Sequence, residues 1–125
     1  MEKGEIKLEQ MTINQLVDRF AETAIAQDDA VWFIKTRLYN RLYKQLEEID
    51  RELRARGPAA RLSLCRLFTH PNMQVRLQAA TWSLGVAPTE ARKVLEVIRP
   101  MKAFPQALDA GMTLIGLDDG TFKPD

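Results

Sequence analysis

The side chains most often used in covalent catalysis are rare in this sequence, which holds one cysteine, Cys65, and one histidine, His70. A reactive thiol needs an electropositive and partly exposed setting, whereas Cys65 lies in a segment rich in leucine and phenylalanine. His70 precedes Pro71, and the residue before a proline avoids helical backbone angles. We therefore expect a buried structural thiol at Cys65 and a histidine that serves the turn before Pro71.

Carboxylates could bind a metal ion or act as acid and base, but their spacing favours neither use. The sequence Asp118-Asp119-Gly120 lacks the alternating oxygen ligands and the closing glutamate of an EF-hand loop. Glu47 and Glu48 are adjacent, and neighbours on a helix point about 100° apart. One cysteine and one histidine are also too few ligands for a Cys/His zinc site. The sequence therefore predicts no catalytic, cofactor-binding or metal-binding residue, and we expect a protein that is not an enzyme.

The composition is that of an ordinary soluble domain. The chain has 125 residues, of which 46% are hydrophobic and 28% are charged, with 18 basic and 17 acidic side chains. The charged N-terminus does not resemble a secretory signal. The longest uncharged stretch, residues 77–89, is too short and too polar to cross a bilayer. We expect a cytoplasmic protein that makes no membrane contact.

Apolar periodicity and helix-end signals predict about six helices and no strands. The first helix begins at Thr12, whose spacing to Gln15 matches a capping box. The second runs from a cap at Asp28 or Asp29 to Arg56. Proline, glycine and asparagine signals delimit four more, near residues 58–69, 72–85, 88–100 and 105–119. We predict an all-α fold of three stacked helical hairpins, preceded by a mobile N-terminal arm over residues 1–11.

One segment carries a repeat-like motif. Its elements are Leu62, Leu67, His70-Pro71-Asn72, Val75-Arg76, Ala79-Ala80 and Leu84. This pattern resembles a HEAT/armadillo-like helical repeat, and most of the chain also resembles a small bacterial domain family of unknown function. The resemblance implies a single HEAT-like domain over residues 12–125, an alpha-alpha superhelix, and it supplies no catalytic residue. It implies that helices two, four and six line an extended concave surface.

The second predicted helix has the most organised exposed face. Residues 35–66 carry nine basic and four acidic side chains, whereas residues 1–34 carry three basic and seven acidic ones. On a helical wheel, Arg37, Arg41 and Lys44 share the solvent side, and Trp32, Tyr39 and Tyr43 border it. Arginine, tyrosine and tryptophan dominate the energetics of protein interfaces. The fourth helix adds Gln74 and Gln78 to the candidate partner-binding residues.

Three interpretations of this basic face remain open. The face could be merely solvated, since charge runs on surfaces often contribute little. It could bind another protein with an acidic surface, and one concrete form is a bacterial immunity or antitoxin-like protein that blocks a toxin. It could instead bind nucleic acid through phosphate contacts and stacking, a hypothesis that the acidic residues 1–34 weaken. The sequence leaves the partner and the oligomeric state open.

Overall fold

The computed structural model describes residues 6–125, and the regular structure in that part of the chain is helical. No β-strand occurs there, so the predicted all-α fold of helical hairpins is confirmed. The third predicted helix is divided into a short α-helix and a 3-10 segment. The α-helices are α1 (Ile13–Trp32), α2 (Thr36–Ala55), α3 (Pro58–Leu62), α4 (Met73–Ser83), α5 (Pro88–Ile98) and α6 (Gln106–Asp119), and the 3-10 helices are Leu8–Gln10 and Ser63–Thr69.

The chain divides into two compact units, Met1–Ser63 and Leu64–Asp125. Part of the predicted N-terminal arm, residues 1–5, lies outside the described residues. In the remainder of the arm, Arg56 donates from Nη2 to the backbone oxygens of Leu8 at 3.0 Å and Glu9 at 3.3 Å, and Met11 is buried. The mobility of the arm and the single domain over 12–125 stay predictions.

No helix among residues 6–125 has the length and apolar character needed to cross a bilayer.

The first unit is a hairpin of α1 packed on α2. The predicted capping box is confirmed: the Gln15 N–H donates to Thr12 Oγ1 at 3.1 Å, and the Thr12 N–H donates to Gln15 Oε1 at 2.9 Å. The apolar stripes of both helices form the interior, as their periodicity predicts. These buried residues are Leu16, Val17, Phe20, Ala24, Leu42, Leu46, Ile49 and Leu53.

The turn between α1 and α2 differs from the prediction. α1 continues through Asp28 and Asp29 to Trp32, so the predicted cap at either aspartate is wrong. The helix ends in a Schellman motif, in which Ile34 adopts a left-handed φ of 53°. The Lys35 N–H donates to the Ala30 oxygen at 2.8 Å, and the Ile34 N–H donates to the Val31 oxygen at 3.1 Å. Glycine usually occupies this left-handed position, and its absence hides the end of α1 in the sequence.

We expect Ile34→Gly to raise the free energy of unfolding by about 1 kcal/mol. The left-handed conformation costs an L-residue with a Cβ roughly 1–2 kcal/mol, and glycine avoids most of that cost. The Ile34 side chain is exposed, so its loss removes little packing. Urea denaturation followed by circular dichroism measures the change. Ile34→Ala is the control, because it removes the side chain but keeps the Cβ; equal stabilities of the two variants would contradict the prediction.

The second unit packs α4, α5 and α6 on one another. The predicted cap of α4 is confirmed, since the Val75 N–H donates to Asn72 Oδ1 at 3.1 Å. A buried hydrogen bond joins α6 to α4, with Gln106 Nε2 donating to Gln74 Oε1 at 3.0 Å. The apolar core around these helices consists of Leu77, Ala80, Leu84, Ala91, Leu95, Ile98, Ala110 and Leu114.

The buried glutamine pair generates a second stability prediction. Gln74→Leu or Gln106→Leu alone should lower the free energy of unfolding by roughly 1–3 kcal/mol, because each removes a buried hydrogen bond and leaves the other polar amide facing an apolar side chain. The double variant should lose less than the sum of the two single losses, because the hydrogen bond between the two amides can be lost only once. A double-mutant cycle in urea measures the coupling. Strictly additive losses would show that the two amides do not depend on each other.

Candidate interaction surface

Cys65 and His70 are the two side chains best suited to covalent chemistry, and the structure shows the surroundings of each. Cys65 is half-buried and not fully buried as predicted, and burial, followed by the nearby Glu90 carboxylate, raises the pKa of its thiol. His70 Nδ1 accepts a hydrogen bond from the Asn72 N–H at 3.0 Å, so the predicted role of His70 in the turn is confirmed. Among residues 6–125, no three histidine, cysteine or acidic side chains come together in a way that could hold a metal ion.

Arg76 belongs to the same turn. Its Nη1 donates to the backbone oxygens of His70 at 2.6 Å and Pro71 at 3.0 Å. The side chain therefore satisfies two carbonyl groups in the turn between the 3-10 helix and α4. The hydrogen bonds of Arg76 and His70 both join residues of the turn that leads into α4.

Two aspartates at the end of α6 have structural partners as well. Acidic groups are disfavoured at a helix C-terminus by the helix dipole. Arg92 Nη1 lies 2.9 Å from Asp118 Oδ1, and hydrogen bonding to Arg92 lowers the pKa of Asp118. Thr121 donates from Oγ1 and N to Asp119 Oδ1 at 2.6 and 2.9 Å, which lowers the pKa of Asp119. These interactions compensate for the unfavourable position.

The first unit also has a cleft between its N-terminal segment and the α1–α2 hairpin, with a volume of about 340 Å³. Its charged side chains are of both signs, so it presents no uniform field for an anion or a cation. The lining residues are Ile6, Lys7, Leu8, Arg19, Thr23, Gln45, Glu48 and Ile49.

The basic face of α2, defined as Arg37, Arg41 and Lys44, lies on one side of the helix as predicted. All three side chains are exposed, and their spacing of four and three residues aligns them. Tyr39 is half-buried beside this face and Tyr43 is exposed. Burial, followed by the carboxylates of Glu47 and Asp50, raises the pKa of the Tyr43 phenol.

Trp32 does not lie on α2. Because α1 ends at Trp32, this residue and the next two form an apolar tip at the turn, with exposed fractions of 78% for Trp32, 72% for Phe33 and 86% for Ile34. Lys35 follows at once, with Nζ 5.7 Å from the centroid of the Phe33 ring, a cation–π distance. The apolar tip leads directly into the basic face, since residues 35–44 contain four basic and no acidic side chains.

Phe33 and Ile34 are the residues of this surface that sequence reasoning missed. Three consecutive large apolar residues span about 200° of a helix, which is more than a single buried stripe accommodates. The run of three apolar residues therefore indicates from the sequence that at least one of them lies outside the buried stripe. Ile34 is the most exposed of them.

Gln74 and Gln78 are not available to a partner, which corrects their prediction as binding residues. Both are buried, and the Gln74 amide is used in the hydrogen bond with Gln106. A polar stripe on a helical wheel is exposed only if no other element supplies partners for it. α4 therefore contributes no glutamine surface, and the candidate interaction surface consists of the apolar tip and the basic face of the first unit.

Comparison with known proteins places this chain in a family. None of the curated proteins compared with it matches. The crystal structure of the protein RPA1889 from Rhodopseudomonas palustris CGA009 is similar, with a TM-score of 0.91 and 51% sequence identity over 97% of this chain and 100% of the other. Residues 14–118 match the family model "Domain of unknown function (DUF2019)", as the resemblance to a family of unknown function predicts. The chain therefore belongs to the DUF2019 family.

Proposed function

We propose that this protein is a non-enzymatic helical module that binds another protein through the apolar tip and the basic face. The observation that carries the proposal is the exposure of Trp32, Phe33 and Ile34 in one turn. Exposed apolar side chains that occur together mark interaction sites more often than scattered ones do. Tryptophan and arginine are also the residues most enriched among those that dominate binding energy.

The backbone of the turn supports the same proposal. Ile34 holds a left-handed conformation that is uncommon for a β-branched residue. Strained residues cluster at binding sites, where the surrounding structure holds them in place. The Ile34 side chain points into solvent, so packing within the first unit does not offset the cost of its backbone conformation. An exposed isoleucine at this position gains its packing when a partner covers it.

The surface also defines the chemistry of its partner. Trp32, Phe33 and Ile34 require an apolar pocket that excludes water. Arg37, Arg41 and Lys44 require carboxylates at the rim of that pocket, where opposite charge speeds the encounter and sets the orientation. The partner in this proposal is therefore a protein with an apolar pocket bordered by acidic side chains.

The narrower forms of the proposal concern architecture and biology. A HEAT-like arrangement of the helical hairpins would present such a surface on a rigid scaffold. A bacterial immunity or antitoxin-like role, in which the module covers the active site of a toxin, fits a small helical protein with one concentrated binding surface.

The basic face gives the first test of the proposal. We expect Arg41→Glu with Lys44→Glu to reduce the amount of partner recovered with the tagged protein by about tenfold or more, because two attractive charge pairs become repulsive. The measurement is quantitative mass spectrometry of material captured from the source cells. Lys93→Glu with Lys123→Glu is the control, since it also reverses two charges, on two exposed lysines of the second unit. Equal recovery with the double variant and the control would sink the proposal.

A photo-cross-linking residue tests whether the partner protein contacts the apolar tip itself. We expect such a residue at Phe33 to form a covalent adduct with one protein, and the same residue at Ala55 to form none. Ala55 is exposed at the other end of α2, about 30 Å along the helix from the tip. Adduct formation at Ala55 but not at Phe33 would contradict the role of the apolar tip.

Nucleic acid is the second candidate partner, favoured by the positive charge of the basic face. Phosphate contacts make affinity fall steeply with salt because they release counterions. The apolar tip favours a protein, since Ile34 offers no ring for base stacking. Binding to single- or double-stranded DNA that weakens strongly between low and physiological salt, and that Arg41→Glu abolishes, would replace the protein-binding proposal with this one.

A further inference from the structure

The last helix, α6, has two apolar faces. One face carries Ala110 and Leu114, which are buried in the core of the second unit. The opposite face carries Leu108, Met112 and Ile115, with exposed fractions of 51%, 63% and 53%. These three residues are spaced by four and three positions, so they form one continuous line on the helix, which we term the outer ridge.

An apolar outer ridge is unusual on the solvent-facing side of a surface helix. A surface helix normally carries polar residues on the side away from the core, and a helix that is apolar all round is normally covered on both sides. Phe104, just before α6, is also exposed and extends the apolar surface towards the start of the helix. The outer ridge therefore has the composition of an interface.

The charges at the two ends of the outer ridge identify what covers it. Asp119 follows Ile115 by four residues, so it lies on the same line at the C-terminal end, and it is exposed. Lys102 is exposed in the connection four residues before α6 begins, so it precedes the N-terminal end of the ridge. A ridge with opposite charges at its ends and apolar residues between them is complementary to itself when two copies run in opposite directions.

We infer that the protein forms a two-fold symmetric dimer in which the outer ridges of two α6 helices pack antiparallel. In an isologous interface, the same patch faces itself in the second copy. With the axis near Met112, Leu108 faces Ile115 of the second copy, and Asp119 lies beside the Lys102 end of the other helix. The parallel arrangement would bring the two Asp119 carboxylates together, so charge selects the antiparallel one.

This inference goes beyond the proposed function and uses a different unit of the chain. The apolar tip and the basic face belong to the first unit, and the outer ridge belongs to the second. A dimer would present two copies of the tip, and two linked sites bind a multivalent partner with greater avidity than one. The failure of one proposal leaves the other intact, because no residue is shared between the two surfaces.

Sedimentation equilibrium of the full chain tests the dimer. We expect a concentration-dependent dimer for the unaltered protein, and a dissociation constant raised about tenfold or more in Met112→Lys, which places two like charges near the symmetry axis. Val97→Lys is the matched control, because it puts the same charge on an exposed apolar residue of α5. A monomer at every concentration, or a dimer that Met112→Lys leaves unchanged, would overturn the inference.

A charge exchange tests the antiparallel direction. Lys102→Glu should weaken the dimer, and Lys102→Glu combined with Asp119→Lys should restore much of the affinity, because the pair is rebuilt with reversed signs. Thermal unfolding of each variant checks the fold, since Asp119 also accepts hydrogen bonds from Thr121.

A disulfide locates the axis without relying on loss of affinity. In a Cys65→Ser background, Met112→Cys should form an intermolecular disulfide on mild oxidation, whereas Val97→Cys should form none. A cross-linked dimer from Val97→Cys alone would place the interface elsewhere and overturn the inference.

Discussion

The hydrogen bond from the Lys35 N–H to the Ala30 oxygen determines how the first unit is organised. It closes the Schellman motif that ends α1, and it forces Ile34 into the left-handed region. Because α1 stops there, three apolar side chains lie in the turn instead of on a helix stripe. The same bond sets where α2 begins, and hence the side on which Arg37, Arg41 and Lys44 lie. The candidate surface is a consequence of this one turn.

Helix ends could be predicted where side chains and backbone groups close in sequence decide them. Thr12 and Gln15 satisfy each other's backbone N–H groups, and Asn72 caps α4 in the same local way. Gly57, with φ 105°, precedes the proline that opens α3. The end of α1 could not be predicted, because Asp28 and Asp29 look like the cap of a following helix and no glycine marks the turn. The run of three large apolar residues shows that one of them must leave the helix stripe, but it does not show that Ile34 takes the left-handed conformation, since the energy of that conformation depends on the packed hairpin around it.

The residues of the candidate site also fall into two groups, those whose placement local spacing predicts and those whose placement depends on distant parts of the chain. Spacing alone places the basic residues of α2 on one face, because a helix period is a local property. Spacing fails for Gln74, whose partner Gln106 is 32 residues further along the chain. A polar residue is exposed or buried according to what the fold brings to it, and one helix considered alone does not contain that information. Trp32 lies at the tip of the candidate surface and not at its border, because α1 continues past Asp28 and Asp29 to Trp32.

The apolar tip and the outer ridge share a physical origin in the small size of each unit. A chain of about 60 residues buries only about 60% of the surface that it exposes when unfolded, so small units are marginal and retain apolar surface. Most of that surface is scattered on a typical protein, and scattered apolar residues need no partner. Here it is concentrated in one turn and along one helix line, each bordered by charge. Concentration with a charged border is what distinguishes an interface from ordinary exposure, because charge orients the partner while apolar burial supplies the affinity.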